Sequence, residues 1–430
     1  MRKFTTITDI EFNEFSRKYH NTSFYQSSYW GELKAQTGWK SHFVGVYEND
    51  SLIAAAMLLE KKLIASFKLF YSPRGFLINY NDKELLSFFT TEIKRYAKKH
   101  HVIFTKIDPY VMYQERDINA DIVENGQDNF QSFTNIIAEG YQHKGFETEM
   151  NLQPRWISVL DLKKKDRSTL QKEMSQTTRN LIRRNEKIGV VSRVANSEDM
   201  EVFKDIMTHT SKRKGFLDRP LSYYMNMHKF LSKGEMIQLY ITELKPDIAI
   251  ENYSSEKKQV LKRIDDRQRK IDNNEKVNVA KLEKKNVIDN QEIDRLDKKI
   301  TEFEELKKSE GRTIVLGAAI YILYGNEVLS LFAGSYDHLM RYSSSYSTYW
   351  HMIEYALDSG YEYLNFYGIS GNFEESNPRI GLFHFKRDFG CKVVELLGEF
   401  DLITNPFMYQ VYRIAMAARR QVKKLKKRNQ

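Results

Sequence analysis

A chain of 430 residues is longer than one hydrophobic core usually supports, and its 41% hydrophobic and 13% aromatic content excludes disorder as its general state. The net charge of +10 indicates a polyanionic partner such as RNA, anionic lipid or a phosphorylated substrate. Cys391 is the single cysteine, so neither an intrachain disulfide nor a thiolate zinc site is expected, which is typical of a reducing cytoplasm. No membrane span is expected, because the longest apolar run, LIAAAMLL from Leu52, is too short.

The first half of the chain alternates strand and helix patterns. FYQSSYWGELK places Gln26, Trp30 and Lys34 four residues apart, which by itself favours a helix that buries its tryptophan. SHFVGVYENDSLIAAAMLLEK then predicts two strands joined by a turn, LLSFFTTEIKRYAKKH a helix, and VIFTKIDPY a strand ending at Asp108. Ahead of that helix, YSPRGF places Arg74 in a turn, where its guanidinium can meet a phosphate or a carboxylate.

The second half repeats the order of hairpin, helix and strand. TIVLGAAIYILYGNEVLSLFAGS predicts the hairpin, SYSTYWHMIEYALDSG the helix and YEYLNFYG the strand. Before the repeat, LQPRWISVLDL is strand-like, and GFLDRPLSYY sets Arg219 and Tyr223 four residues apart. Between these two stretches, STLQKEMSQTTRNLIRRNEKIG predicts a helix whose cations suit the helix dipole or a phosphate: Arg179, Arg183, Arg184 and Lys187. We therefore predict an α/β protein of two similar mixed units, over residues 1–150 and 151–430.

Residues 247–310 form a separate segment, rich in charges of both signs and almost without glycine and aromatic residues. Leu261, Ile264 and Ile271 recur at helical spacing, and so do apolar residues after DNNEK, a turn-like sequence at 272–276. The pattern predicts an antiparallel coiled-coil hairpin of two helices, inserted into the second unit between the strand-like runs MIQLYITEL and TIVLGAAIYIL. Such a hairpin suits contact with a polyanion such as RNA and dimerisation equally well.

Motifs for metal, nucleotide and serine-hydrolase chemistry are missing from the sequence. It contains no HExxH, GxxxxGK[ST] or GxSxG, and no convincing [QR]xxGx[GA] loop of the kind that holds the pyrophosphate of coenzyme A. Two predicted strands instead end in small residues, where a ligand can approach the backbone closely. These ends contain Gly334 and Ser335 in FAGSYDHLMR, and Tyr367 and Gly368 in NFYGISGNF.

A single lysine stands in an aromatic run near the C-terminus. In GLFHFKRDFG, Lys386 follows Phe385, and two interpretations are open: a helix that points its lysine to water, or a cation held at a pocket edge for chemistry. The last segment, 413–430, is strongly basic, and a solvated helix, an anionic membrane surface and RNA are all compatible with it.

Taken in order, these motifs resemble the FemABX family of peptidoglycan aminoacyltransferases, especially its staphylococcal interpeptide-bridge members. The matching stretches are YW..LK, SPRGF, KIDPY, QPRW, GFLDR...YY, the charged hairpin, AGS, NFYGISG, GLFHFKRDFG and GEFD. The resemblance covers nearly the whole chain and implies two tandem GNAT-like units, the fold of acyl-CoA N-acyltransferases, with the helical hairpin inserted. It also implies transfer of glycine, serine or alanine from aminoacyl-tRNA to an amine of the stem or bridge peptide of lipid II, without metal or nucleotide cofactor.

The resemblance also implies roles for individual residues. Lys34 and Arg219 would bind the phosphates of the precursor, with Tyr223 in the same site. Lys386 would assist acyl transfer through its charge, with Phe385 beside it, and Asp108 would be an acid of the site, sometimes proposed as a base. The other predicted substrate-binding residues are Trp30, Arg74, Gly334, Ser335, Tyr367 and Gly368.

The implied partners are glycyl-tRNA or seryl-tRNA, lipid II or its bridge-extended form, and an anionic membrane surface, together with a second copy or a related Fem protein. The implied location is the cytoplasm, peripheral at the inner face of the cell membrane. Two alternatives remain open: an N-acyltransferase that uses acetyl-CoA, and a non-enzymatic tRNA-binding or coiled-coil scaffold protein. The missing pyrophosphate loop argues against the first, and the second leaves Lys386 without a role.

Overall fold

The computed structural model describes residues 1–149, 153–273 and 276–428, without the side chains of residues 420 and 422–428. The strands are β1 (Arg2–Thr6), β2 (Lys40–Glu48), β3 (Ser51–Ile64), β4 (Phe67–Ser72), β5 (Val102–Ile107), β6 (Met112–Glu115), β7 (Tyr141–His143), β8 (Trp156–Asp161), β9 (Val190–Ala195), β10 (Ile237–Leu244), β11 (Ile314–Tyr324), β12 (Glu327–Ser335), β13 (Tyr363–Gly368), β14 (Lys392–Leu396) and β15 (Phe400–Ile403). The helices are α1 (Asp9–Lys18), α2 (Ser28–Ala35), α3 (Lys83–Lys99), α4 (Phe130–Ala138), α5 (Arg167–Glu173), α6 (Gln176–Lys187), α7 (Met200–Lys214), α8 (Leu221–Ser232), α9 (Pro246–Asp272), α10 (Val279–Glu310), α11 (Ser344–Asp358), α12 (Ile380–Arg387) and α13 (Pro406–Arg428).

The described strands form two mixed sheets. The first runs β1-β2-β3-β4-β5-β15-β7, and the second runs β6-β14-β8-β13-β12-β11-β10-β9. In the first sheet, β1 to β4 pair antiparallel in chain order, and α3 then leads to β5, which lies parallel to β4. In the second, β9 to β12 pair antiparallel, and α11 leads to β13, parallel to β12. The two halves therefore share one topology, a four-stranded meander followed by a helical crossover.

The repeat differs in one respect from the pattern predicted from sequence. Sequence analysis matched the hairpin β2–β3 with the hairpin β11–β12, whereas the topology matches β11–β12 with β3–β4. The predicted order lacked β4, a short strand of which only the last two residues, Tyr71 and Ser72, fell in a quoted motif, the YSPRGF turn. In β4 the buried residues Phe70 and Ser72 alternate with half-buried ones, a weak signal over six residues.

The two halves also exchange strands. β6, from the first half of the chain, pairs with β14 in the second sheet, and β15, near the C-terminus, lies between β5 and β7 in the first. A cut at residue 150 would thus remove a strand from each sheet. The exchange ties the two units into one body that includes a shared core, in which Phe24 and Trp30 of the first half pack in one cluster with Phe203 and Tyr224 of the second.

Helices α9 and α10 form the predicted antiparallel hairpin, here called the arm. It is inserted between β10 and β11, whose ends pair directly at Leu244 and Ile314. The corresponding place in the first sheet is the tight turn between β2 and β3. The arm is held together by cross-helix ion pairs such as Lys257–Asp297 at 2.5 Å, and Phe303 anchors its base in the core. Residues 274 and 275 of the predicted turn lie outside the described part of the chain.

The last helix, α13, packs on the first sheet. Tyr409 is buried against Ile103 and Phe104 of β5, while Phe407 and Ile414 face outward. The predicted basic tail, 413–430, belongs to this helix as far as Arg428, and most of its side chains lie outside the described set. Within the described residues, the structure contains no helix that combines the length and apolar character needed to cross a bilayer.

Candidate functional site

A cavity of about 380 Å³ lies between the two units. Its wall combines residues from both halves of the chain, and most of them are aromatic or aliphatic. Those used below are Tyr25, Trp30, Lys34, Trp39, Arg219, Tyr223 and Tyr367. The structure therefore brings together five residues from three separate sequence motifs (Trp30, Lys34, Arg219, Tyr223 and Tyr367), because the motifs meet only when the two sheets pack. The cavity is large enough for part of a sizeable substrate.

One wall of the cavity carries cations supported by aromatic rings. Lys34, in the last turn of α2, holds its Nζ 5.6 Å from the ring centroid of Trp30 and 5.5 Å from that of Trp39. Burial lowers the pKa of Lys34, and repulsion from Arg219 and Lys61 lowers it further. Arg219 is exposed and stacks over Tyr223 at 5.4 Å.

Neither cation has an acidic partner among the described residues. In the described part of the chain, no carboxylate forms an ion pair with Lys34 or with Arg219. Two cations that repel each other beside an apolar cavity are unfavourable unless an anion joins them. This wall is therefore suited to a phosphate or pyrophosphate. Trp39, directly before β2, and Lys61, near the end of β3, were absent from the sequence-based prediction, because neither belongs to a motif.

The aromatic floor of the cavity depends on one residue with unusual backbone geometry. Tyr367, the residue before the last in β13, has φ of 69°, a left-handed conformation that a tyrosine rarely adopts. The Tyr367 N–H donates to Asn365 Oδ1 at 2.7 Å. The Tyr367 hydroxyl lies 3.0 Å from the Tyr25 hydroxyl and donates to Gln153 Oε1 at 2.9 Å. These bonds fix the Tyr367 ring in the cavity wall and turn the following carbonyls away from the sheet.

Lys386 meets the same strand end from the opposite side. It lies on α12, is only 3% exposed, and its Nζ donates to the carbonyl oxygens of Tyr367 at 3.1 Å and Gly368 at 2.7 Å. Burial lowers the pKa of Lys386 to about 7, and no carboxylate in the described part of the chain pairs with it. The neighbouring Cys391 thiol is itself buried, which raises the pKa of that thiol. The lysine thus neither points to water nor lines the cavity. It lies directly behind the backbone that presents Tyr367.

Aromatic side chains surround this lysine's helix, as the sequence suggested. Phe385 packs with its ring centroid 5.3 Å from that of Tyr346 and 5.5 Å from that of Tyr349. Phe389, in the turn after α12, lies 5.3 Å from Phe385. The rings exclude water from α12 and hold it against β13. Phe385 therefore belongs to the packing that positions Lys386 and is not part of the cavity wall.

Asp108 and Arg74 form a buried pair next to the cavity. Asp108 Oδ1 accepts a 2.8 Å hydrogen bond from the Arg74 N–H, and Oδ2 lies 3.8 Å from the guanidinium and accepts from the Tyr71 hydroxyl at 3.3 Å. Arg74 also donates to the carbonyl of Pro154 at 2.8 Å. Burial raises the pKa of Asp108 to about 6, although Arg74 lowers it. The carboxylate thus holds the SPRGF turn, while Tyr71 links it to the cavity wall.

A second acid near the site, the partly buried Glu327, was absent from the sequence-based prediction. At the start of β12 it accepts a 2.5 Å hydrogen bond from the Tyr110 hydroxyl and one of 3.0 Å from Asn365. Its removal from water raises the pKa of Glu327 to about 7. Because Asn365 also holds the Tyr367 backbone, Glu327 supports the cavity floor indirectly. Glu327 follows a turn in the sequence, where an acid is ordinarily a solvated residue.

Two predicted substrate residues lie elsewhere. At the end of β12, the N–H of Ser335 donates to Thr210 Oγ1 at 3.2 Å, and a Cβ added to Gly334 would lie 2.6 Å from the same oxygen. The close approach that these small residues allow is therefore to helix α7. Among the described residues, Gly334 and Ser335 do not line either of the two cavities discussed here, the large one or the small one of about 20 Å³ beside Arg74.

The cation-rich helix α6 has mostly internal partners. Arg179 donates to three carbonyl oxygens at the end of α5, including that of Met174 at 2.6 Å. Arg184 donates to the Arg341 carbonyl at 3.1 Å, and Lys187 pairs with Glu256 of the arm at 2.6 Å. The density of charge on α6 is therefore explained largely by its contacts with α5 and the arm.

Comparison with known proteins identifies the chain's relatives. The FemAB family pattern matches residues 7–417. The chain belongs to the FemAB family. It is 32% identical over 428 residues to "Aminoacyltransferase FemA" of Staphylococcus epidermidis, covering 99% of this chain and 100% of that protein. It is 31% identical over 423 residues to the protein of the same name from Staphylococcus aureus, covering 95% and 97%.

The fold of the FemAB chain agrees with that of a solved relative. The crystal structure of FemX superposes with a TM-score of 0.83 at 25% identity, covering 95% of this chain and 99% of FemX. Together with the repeated topology, this confirms the predicted family and the predicted mixed α/β fold of two tandem units with an inserted hairpin. The names of the two relatives support the predicted transferase class.

Proposed function

We propose that this FemAB protein transfers an amino acid, glycine or serine, from aminoacyl-tRNA to an amine of the stem or bridge peptide of lipid II, in the synthesis of the peptidoglycan interpeptide bridge. Relatives named aminoacyltransferases, at 31–32% identity over nearly the full length, support the reaction class. The observation that carries the proposal is the cavity between the units, whose wall holds the unpaired cations Lys34 and Arg219 beside aromatic rings.

The cation wall fits the precursor's pyrophosphate. Lys34 supplies a point charge and Arg219 a planar fork of donors, the two types of group that proteins use for phosphate. Trp30 and Trp39 restrict the Lys34 side chain, so less conformational entropy is lost when the anion binds. The remaining apolar wall suits the uncharged parts of a lipid-linked precursor, while Tyr367 marks the far end of the cavity towards Lys386.

The reaction itself needs alignment and charge stabilisation. The acceptor amine attacks the ester carbonyl carbon, a C–N bond forms, the bond to the ribose oxygen breaks, and the amine proton passes to that oxygen. Holding the two substrates in register supplies several kcal/mol of the barrier reduction. Negative charge develops on the carbonyl and ribose oxygens, and a cation in a water-poor setting stabilises it more than one in bulk water.

In this mechanism we assign Lys386 an electrostatic role. Its amine is fixed by two carbonyls directly behind Tyr367, and its pKa of about 7 places its protonation near neutrality. Negative charge arriving at the strand end favours the ammonium form. Asp108 is assigned a positioning role, since both its oxygens already accept hydrogen bonds from the SPRGF turn and Tyr71.

Helix α13 supports a peripheral position at an anionic membrane. Phe407, Val411 and Ile414 recur at helical spacing and are 75%, 39% and 70% exposed, and the segment that follows them is strongly basic. Apolar residues on one helix together with clustered cations are the features of a helix that lies in a lipid interface. Tyr412 of the same helix lines the cavity, so docking by α13 would bring the cavity close to a lipid-linked substrate.

The proposed reaction is tested by incubating the purified protein with total aminoacyl-tRNA and with lipid II variants that differ in the number of bridge glycines. Mass spectrometry then shows whether the acceptor gains a glycine or a serine residue, and which acceptor is preferred. No gain on any acceptor, with the tRNA still charged, would contradict the proposal and favour an acetyl-CoA-dependent enzyme or a scaffold protein.

Membrane docking is tested separately by sedimentation with vesicles. Full-length protein is expected to bind phosphatidylglycerol vesicles and not phosphatidylcholine vesicles, and a double variant, Phe407→Ser with Ile414→Ser, is expected to lose most of this binding. The matched control is Leu217→Ser, which changes an exposed apolar residue in the loop before α8. Equal binding by all three proteins would exclude α13 as the docking element.

A further inference from the structure

A cluster of two histidines and one glutamate lies behind the cavity wall, on the other face of the first sheet. His42 is on β2, Glu60 on β3, and His100 is the residue that caps the C-terminus of α3. Successive side chains of a strand point to opposite faces. Leu59 lines the cavity, so its neighbour Glu60 points away from the substrate and towards α3. The proposed transfer reaction does not use this cluster.

The spacing of the cluster matches that of metal ligands. His42 Nε2 lies 3.4 Å and His100 Nδ1 lies 3.8 Å from the same oxygen, Glu60 Oε2, and one ligand atom from each residue falls within 4.8 Å of the others. Ligand bonds to Zn²⁺ of about 2.0–2.2 Å in a tetrahedron place neighbouring ligand atoms about 3.4 Å apart. Small adjustments of the His100 side chain, which is 26% exposed, would complete this geometry.

Two of the atoms that face the centre of the cluster have no hydrogen-bond partner among the residues that the structure describes. His42, 8% exposed, has a buried Nε2 without a hydrogen bond, and Glu60 Oε2 is likewise buried and unsatisfied. An unsatisfied buried polar atom is costly, and two of them facing each other call for a bound group.

The opposite atoms of the same side chains are held in place. His42 Nδ1 lies 2.9 Å from the Tyr96 hydroxyl, and Glu60 Oε1 lies 3.0 Å from Lys68 Nζ. Metal-binding histidines and carboxylates are usually oriented in this way by a second hydrogen bond, which leaves one lone pair directed at the ion. The cluster therefore has both the ligand atoms and the outer contacts of a metal site.

We propose that His42, Glu60 and His100 bind one transition-metal ion of the Zn²⁺ class, with water in the fourth position. The exposed edge of His100 provides the route of entry. The bound ion would tie β2, β3 and the end of α3 together behind Leu59, and so stiffen the wall of the substrate cavity. Sequence analysis expected no metal, because the three ligands lie on separate elements and form no motif.

The site is tested on the full-length protein prepared without a histidine tag and stripped with a chelator. Calorimetric titration with Zn²⁺, and the absorption bands of added Co²⁺, are expected to show one ion per chain. His42→Ala, Glu60→Gln and His100→Ala should each weaken binding at least tenfold. The matched control is His209→Ala, because His209 lies on α7, half exposed and 3.8 Å from Asp205, and should bind as wild type does.

A thermal melt provides the second measurement. Zn²⁺ should raise the melting temperature of the wild type and of His209→Ala, and should not raise that of His100→Ala. His100→Ala is used here because the His100 side chain is partly exposed, so its replacement disturbs folding less than replacement of His42 or Glu60. Absence of one-to-one binding by folded wild type would overturn the proposal and leave His42 and Glu60 as a plain polar contact. Binding unchanged in His100→Ala and Glu60→Gln would overturn it as well.

Discussion

Lys386→Met removes the charge of a fully buried lysine and keeps an unbranched side chain of similar length. Burial lowers the pKa of Lys386 from the usual 10.5 to about 7. At 1.36 kcal/mol per pKa unit, this lowered pKa means that burial of Lys386 destabilises the folded protein by about 5 kcal/mol at pH 7, whether the buried lysine keeps its proton or releases it. Lys386→Met removes this cost, but it also removes the two hydrogen bonds to Tyr367 and Gly368, which offsets the gain in stability by about 2 kcal/mol. We expect the variant to unfold at pH 7 with a free energy about 2–3 kcal/mol higher than wild type, which raises Tm by roughly 2–3 °C at this chain length.

The effect should depend on pH in a defined way. Between the folded-state pKa of about 7 and the usual 10.5, the unfolded chain binds the Lys386 proton and the folded chain does not. Wild-type stability therefore rises with pH across this window, and the advantage of Lys386→Met is largest at pH 7 and below. It should shrink steadily towards pH 10.5. Lys392→Met, which changes an exposed lysine on β14, provides the control and should show no such trend.

The assay combines denaturant unfolding across that pH range with single-turnover transfer from aminoacyl-tRNA. Transfer by Lys386→Met should fall by about 100-fold or more, since a cation in a water-poor site is lost, while substrate binding persists. A variant that is less stable than wild type at every pH, with a constant difference, would refute the reasoning, because the lysine would then contribute packing and hydrogen bonds only. Unchanged transfer would remove Lys386 from the mechanism.

Three further outcomes are expected. Lys34→Met should raise the KM for the lipid-linked acceptor about tenfold or more with little change in kcat, because it removes one unpaired cation of the wall; steady-state kinetics in which kcat falls instead would contradict this. Between pH 4.5 and about 7 the folded wild type retains a Glu327 proton that the unfolded chain releases, so its free energy of unfolding should fall by about 3 kcal/mol as the pH rises. Glu327→Gln should abolish this fall, which denaturant unfolding at both ends of the pH window measures. Residues 258–296 of the arm can be replaced by a short glycine linker between Lys257 and Asp297, which already form an ion pair, so the fold should be preserved. The deletion should weaken the affinity for tRNA and the dependence of that affinity on salt. Unchanged tRNA retention in a filter-binding assay would exclude the arm from tRNA recognition.

Long periodic segments were predictable because their pattern is repeated many times within one element. The arm, predicted at 247–310, is observed as Pro246–Asp272 and Val279–Glu310. Most of the longer strands and helices follow their sequence patterns, but the single helix predicted from STLQKEMSQTTRNLIRRNEKIG is wrong: the chain leaves the helical conformation at Met174, and Ser175 caps a second helix, so α5 and α6 are separate. Short strands were not predictable in this way. β6 and β15 have four residues each, too few to establish a period, and their partners lie in the other half of the chain.

Motif order and hydrophobic period are properties of the chain alone, so the family, the tandem units and the residue types available to a site could be predicted from them. What each side chain does depends on contacts made in the folded protein. Packing of the two sheets brings Lys34 and Arg219 to one cavity, turns Lys386 onto carbonyl oxygens and commits Asp108 to the turn of Arg74. The reason is physical: burial and distance set the pKa and the hydrogen-bond partners of a group, and both depend on contacts between residues far apart in the chain.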